Sequence, residues 1–99
     1  MAGATWACVI CYDVTDDRRR TQLARTLAAY GRRVQYSVFE ATLSLSLFDT
    51  MAAELRTLID PGADRVHVYA LCAACAARAV YLGPSAREER PGTEMVFIV

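Results

Sequence analysis

Alternating strand-like and helix-like blocks predict an α+β domain, a sheet with two amphipathic helices on it. Three observations carry this. An apolar run near the start, Thr5-Trp6-Ala7-Cys8-Val9-Ile10-Cys11-Tyr12, meets its first charge at Asp13. Two stretches repeat apolar residues at helical spacing, one through Leu23 and Leu27 and one through Leu47, Phe48, Met51, Leu55, Leu58 and Ile59. Segments rich in β-branched and aromatic residues separate and follow them. With 99 residues the chain makes one domain, 1–99, large enough for a modest core.

Each element has a local reason. Residues 4–13 form the first strand. Asp16 or Asp17 can cap a helix that runs to about Tyr30, with Gly31 as the stop. Residues 33–41 form the second strand, and Ser44 or Ser46 caps a second helix to about Ile59. Asp60-Pro61-Gly62 is a turn, and Val66, Val68 and Ala70 alternate with His67 and Tyr69 in a strand over 65–71. A small Ala/Cys segment leads to a short strand at 79–82, and Gly83-Pro84 then breaks the chain. Residues 85–92 are a polar linker and 93–99 a final apolar strand. The order fits a ferredoxin-like two-layer sandwich, β-α-β-β-α-β, with an additional C-terminal strand. Only one clear strand lies between the helices, so the usual hairpin requires splitting 32–46 into two. The last strand either finishes its own sheet or crosses to a partner subunit, and the partner is the favoured reading.

Formal charge is zero, which argues against coating nucleic acid through bulk positive charge. The distribution differs from the total. Six arginines (Arg18, Arg19, Arg20, Arg25, Arg32, Arg33) and no acid lie in 18–39, so that stretch carries +6 and the rest −6. All eleven basic side chains are arginine, whose planar fork grips phosphate through two hydrogen bonds. An apolar content of 55% in so short a chain points to a homodimer. No run of eighteen apolar residues and no signal-peptide pattern occur, so a cytoplasmic protein without membrane contact is expected, with its cysteines reduced.

Asp13 is the first candidate site residue. A carboxylate ending a strand can hold a hard cation, although it can also help Thr15, Asp16 and Asp17 cap the helix. A single carboxylate makes a poor Mg²⁺ site, and a two-fold axis would supply a second copy of Asp13. Arg18, Arg19 and Arg20 occupy the first helical turn, where the dipole disfavours cations, which points to phosphate as their partner. Arg33, Tyr36 and Phe39 on or near the second strand combine guanidinium and aromatic groups that can hold backbone and stack bases.

The cysteines mislead. Cys8-x-x-Cys11 and Cys72-x-x-Cys75 look like a four-cysteine zinc site, yet residues three apart in a strand face opposite ways. Buried free cysteines are the favoured reading, ahead of zinc or a redox pair. His67 falls on the polar face of its strand and reads as a solvated surface histidine.

Tyr12-Asp13-Val-Thr-Asp-Asp-Arg-Arg-Arg-Thr, Tyr30-Gly31 and Arg33-Val-Gln-Tyr-Ser-Val-Phe39-Glu together resemble the small CRISPR-associated nuclease family, the lesser of two proteins found in nearly all spacer-acquisition systems. The likeness continues through Leu58-Ile59-Asp60-Pro61, Asp64-Arg65-Val66 and Leu71-Cys72-x-x-Cys75 to Leu82-Gly83. It implies a homodimer whose C-terminal strand packs on the partner, a Mg²⁺- or Mn²⁺-dependent endonuclease acting on RNA or DNA, and a place beside a CRISPR-associated integrase, the larger adaptation protein. By position it implies Asp13 as the metal-binding aspartate, with Tyr12, Arg20, Arg33 and Phe39 tied to activity or nucleic-acid contact. Gln22 departs from the pattern, standing where many members carry a basic residue. Two functions follow from the same residues: an endonuclease in which paired Asp13 side chains hold a divalent ion, or a non-catalytic, arginine-lined DNA bridge. A small-molecule regulatory module is the outsider, since no glycine-rich ligand loop is present.

Overall fold

The computed structural model describes residues 4–83. Seven elements follow one another: β1 (Thr5–Asp13), α1 (Asp17–Ala28), β2 (Arg32–Gln35), β3 (Val38–Ser44), α2 (Leu45–Leu58), β4 (Arg65–Leu71) and a one-turn α3 (Ala73–Ala76). The strands form one antiparallel sheet in the order β2-β3-β1-β4, and the first six elements give the ferredoxin-like βαββαβ order. The polar linker over 85–92 and the strand expected over 93–99 lie outside the described residues.

Period-two alternation decides which side of the sheet takes the helices. Cys8, Ile10 and Tyr12 of β1 stand beside Ala41 and Phe39 of β3 and Val68 and Val66 of β4, all facing one way. Leu23 and Leu27 of α1 and Met51 and Leu55 of α2 close over them, and together these residues form the core. Burying a side chain such as Ile10 or Leu23 stabilises the fold by about 1.5–3 kcal/mol. Val9, Cys11 and Asp13 point to the opposite, helix-free face, with Glu40, His67 and Tyr69 as cross-strand neighbours of Val9 or Cys11.

Between the helices, residues 32–44 do split into a hairpin, joined by the two-residue turn Tyr36-Ser37, with a register shift between Arg33 and Gln35. The helix caps are Asp16, which accepts from the Arg19 N–H at 2.9 Å, and Ser44, which accepts from the Leu47 N–H at 3.2 Å. Gly31 follows the end of α1 as expected, without a left-handed backbone, because Gly83 is the sole described residue with positive φ. A Cβ at Gly31 would sit 2.0 Å from the Glu40 carbonyl oxygen, so glycine is required there by the close approach of the α1 exit to β3. The short strand expected at 79–82 does not form. That segment instead leaves α3, which packs on β1 and β4, and crosses the helix-free face until the Tyr81 hydroxyl reaches the Glu40 carboxylate at 3.2 Å.

Candidate functional site

At the C-terminal end of β1 an open depression of about 510 Å³ is lined by Tyr12, Asp13, Val14, Arg20, Thr21, Ala24, Arg33, Tyr36 and Ser37. Asp13 is exposed, and its carboxylate has no hydrogen bond or ion pair among the described residues. Its cross-strand neighbour is Arg65. β1 runs apolar to Tyr12 and so delivers Asp13 to the sheet margin, where the strand ends and the loop to α1 begins.

Tyr12 is buried with its ring 6.2 Å from that of Phe39. Its hydroxyl donates to the Tyr36 carbonyl at 3.3 Å, and its backbone N–H donates to the Ser37 carbonyl at 3.1 Å. Tyr12 therefore fastens the hairpin turn to the end of β1. Phe39 belongs to the core, and its ring carries the Arg33 guanidinium, whose central carbon lies 5.4 Å from the ring centroid. That cation–π contact fixes an exposed guanidinium at the rim of the depression.

The three consecutive arginines diverge. Arg18 is exposed and does not line the depression. Arg19 turns away from it and grips Asp64, with Nε donating to Oδ2 at 2.7 Å and Nη2 to Oδ1 at 3.1 Å. Asp64 also accepts from the Asp60 N–H at 2.8 Å and is buried. The Arg19 guanidinium, followed by the Asp60 N–H, holds the Asp64 carboxyl below the usual carboxylate range. Arg20 donates through Nη1 to the carbonyls of Val14 (3.0 Å) and Thr15 (3.2 Å), and through Nη2 to Asp17. Its guanidinium thus clasps the loop that follows Asp13 while still bordering the depression. The dipole penalty at the start of α1 is met by Asp16, Asp17 and Asp64 within the chain. Sequence spacing could not reveal this for Arg19, whose partner lies 45 residues away.

The sequence-nominated residues therefore fall into groups. Tyr12, Asp13, Arg20 and Arg33 are brought together, Phe39 lies beneath Arg33, and Arg18 and Arg19 stand apart. Tyr36 and Ser37 join the site through the hairpin turn. The cysteines do not assemble: Cys8 is buried, its thiol pushed up by that burial, and Cys11 faces the other side of the sheet. The burial expected of the cysteines holds fully for Cys8 alone: Cys72 and Cys75 are exposed beyond the end of β4, outside the depression, where their side chains hydrogen-bond to each other.

For a divalent cation the depression offers one free carboxylate. Among the described residues no three His, Cys, Asp or Glu side chains cluster, and the Val14 and Thr15 carbonyls already accept from Arg20. Asp13 fits as a single oxygen ligand of a hydrated Mg²⁺ or Mn²⁺, an ion that keeps several waters and takes one or two carboxylates plus phosphate oxygens.

The profile of the family described as CRISPR associated protein Cas2 matches residues 6–79. A protein of Rhodospirillum rubrum named CRISPR-associated endoribonuclease Cas2 4 is 47% identical over 91 residues, 92% of this chain and 72% of the relative. One of Chloroflexus aurantiacus named CRISPR-associated endoribonuclease Cas2 3 is 48% identical over 75 residues, 76% of this chain and 81% of the relative. Among solved structures, Streptococcus pyogenes Cas2 at pH 6.5 superposes with a TM-score of 0.68 at 29% identity, covering 78% of this chain and 99% of that one. A chain of a partial Cas6-RT-Cas1–Cas2 complex gives 0.64 at 27% identity, covering 75% and 81%. With matched residues spanning β1 to α3, the chain belongs to the CRISPR-associated Cas2 family.

Proposed function

We propose that this protein is a divalent-metal-dependent endonuclease that hydrolyses a phosphodiester bond of RNA or DNA and takes part in CRISPR spacer acquisition with a partner integrase. The observation that carries the reading is the free carboxylate of Asp13 sharing one depression with the fixed Arg33 guanidinium. The endoribonuclease names of relatives at 47% and 48% identity support it, as does a structural neighbour solved with Cas1. Asp13 from each of two chains of a homodimer would hold a hydrated Mg²⁺ or Mn²⁺, which when bound supplies an activated water and offsets developing negative charge. Arg33 binds a phosphate oxygen and stabilises the charge that grows on it in the transition state. Arg20 holds the backbone after Asp13 in place, and Tyr12 holds the hairpin that carries Arg33 and Tyr36. Both act by positioning.

Purified Asp13→Asn, assayed beside the parent with Mg²⁺, Mn²⁺ and EDTA, should lose at least about 100-fold in cleavage with no change in melting temperature. Equal cutting by both proteins would sink the nuclease reading. A second reading is favoured by the one-carboxylate count: a non-catalytic dimeric bridge that holds DNA while the integrase joins it. It wins if neither protein cuts and both support integration, and its affinity should fall steeply with salt.

A further inference from the structure

Two thiols that the chemistry at Asp13 does not use stand together past the end of β4. Cys72 precedes α3 and Cys75 lies within its single turn, which the Ala76 N–H closes by donating to the Cys72 carbonyl at 2.9 Å. Residues three apart on such a turn have Cα atoms about 5 Å apart. A disulfide spans about 4.4–6.8 Å between Cα atoms, so this pair can close one without moving the backbone. Both thiols are exposed, and their side chains already hydrogen-bond to each other. The two are unequal. The Cys75 backbone N–H, and after it the Cys75 thiol, hold the Cys72 thiol below the usual range, and the bond to Cys72 pushes Cys75 above it. That split makes one sulfur the nucleophile and keeps the other protonated beside it. Among the described residues no third His, Cys, Asp or Glu joins them, so the pair lacks the four ligands of a structural zinc site.

We propose that Cys72 and Cys75 are a reversible redox pair, oxidised to an intrachain disulfide by a low-molecular-weight disulfide of the glutathione class. The Cys72 thiolate attacks one sulfur of that disulfide, forming a mixed disulfide and releasing one thiolate. Cys75 then gives up its proton, and its sulfur attacks Cys72 Sγ and expels the second thiolate. The two released thiolates take up the two protons that the cysteines lose. Two protein thiols are oxidised, one small disulfide is reduced to two thiols, and excess thiol reverses both steps. The new bond closes a ring over α3, the turn through which the chain leaves β4 and crosses the helix-free face towards Glu40. A one-turn helix lies at the low-stability end of a fold, so a covalent tie there restrains it. The proposal is independent of the phosphodiester reading, because neither thiol lines the depression.

The full chain is purified, assayed for zinc, reduced, and equilibrated without air in mixtures of glutathione and its disulfide. Free thiols are then trapped with N-ethylmaleimide and read by peptide mass spectrometry. Cys72 and Cys75 should oxidise together into one intrachain disulfide, about 2 Da lighter than the dithiol, and dithiothreitol should restore both thiols. Buried Cys8 should stay reduced throughout. Single variants separate the roles of the two sulfurs. Cys75→Ser should stop at a mixed disulfide on Cys72, and Cys72→Ser should acquire glutathione on Cys75 about 10-fold more slowly. Hydrogen exchange at the Ala76 and Ala77 amides, which donate to the Cys72 and Ala73 carbonyls, should slow about 10-fold in the oxidised chain. The redox pair is refuted if glutathione accumulates on both cysteines without ring closure, if the disulfide joins two chains, or if the purified protein carries stoichiometric zinc that blocks oxidation. Equal rates for the two single variants would overturn Cys72 as the nucleophile, and unchanged exchange would overturn the restraint on α3.

Discussion

Helices α1 and α2 are near twins in the way they begin and pack, and they differ in what ties them to the sheet. Each has an N-cap side chain accepting from the N–H three residues on, and each buries two large side chains over the same strands. α2 is held by its Ser44 cap, by Met51 and Leu55, and by Glu54, which accepts from the Tyr30 hydroxyl at 2.8 Å. α1 carries further polar fasteners: Arg20 to the Val14 and Thr15 carbonyls, Arg19 to buried Asp64, and a glycine exit pressed against the β3 backbone. The loop that α1 anchors is the one that follows Asp13. α2 is a covering element, while α1 both covers the core and sets the site.

The comparison breaks most severely at Gly31. A Cβ there would lie 2.0 Å from the Glu40 carbonyl oxygen and 2.7 Å from the Ala41 Cβ, both parts of the sheet that cannot swing aside. Gly31→Ala should cost about 3 kcal/mol or more and lower the melting temperature by more than about 10 °C. A melt within two degrees of the parent would show that α1 is not seated against β3 in this way.

Much of this architecture was legible in the sequence. The core face, the two helices, the Asp-Pro-Gly turn and the end of β1 at Asp13 all follow from periodicity and turn chemistry. The hairpin was only half visible, because Tyr36-Ser37 lacks the Gly or Asn that marks a tight turn, and the run from Arg33 to Ala41 reads as one strand. Gly31 was visible as a punctuation mark but not as a close contact. Val80, Tyr81 and Leu82 have strand-like composition, yet the segment forms no strand and its Tyr81 hydroxyl reaches Glu40 on the helix-free face. In the depression, Asp13 and Arg33 were nominated by residue type and position, and Tyr12 by the family resemblance. The separate fates of Arg18, Arg19 and Arg20 were not, since one helical turn sends consecutive side chains in different directions, and what each meets is decided by distant residues.

The Arg19–Asp64 pair should give the next largest effect. Asp64 is the only charged residue that is buried among those described, and removing its charge leaves Arg19 and the Asp60 N–H without an anionic acceptor. Asp64→Asn should melt about 10 °C below the parent near neutral pH. Its folded-state carboxyl is held below the unfolded value, so the stability it contributes is present above about pH 3.9 and is lost as pH falls through the folded value. The parent should therefore lose the stability difference from the variant between about pH 4 and more acidic conditions, and the two melting curves should converge there. A gap that stays constant on acidification would mean that charge is not what Asp64 contributes.

The smallest effect separates the two caps. Ser44→Ala removes the acceptor for the Leu47 N–H and Asp16→Ala removes the acceptor for the Arg19 N–H, so each should cost about 1 kcal/mol, roughly 5 °C in melting temperature. Their activities should differ even so. Ser44 lies outside the depression and its loss loosens α2 alone, so nucleic-acid cleavage should stay at the parent's level. Asp16 sits three residues after Asp13, and its backbone carbonyl receives the Arg20 N–H at 2.9 Å within the turn that Arg20 clasps. Loosening that turn should lower cleavage by about 10-fold at the same cost in stability, because a carboxylate displaced by a fraction of an ångström no longer meets its target. If the two variants cut equally well, α1 is no more a part of the site than α2 is, and the difference between the helices is one of stability only.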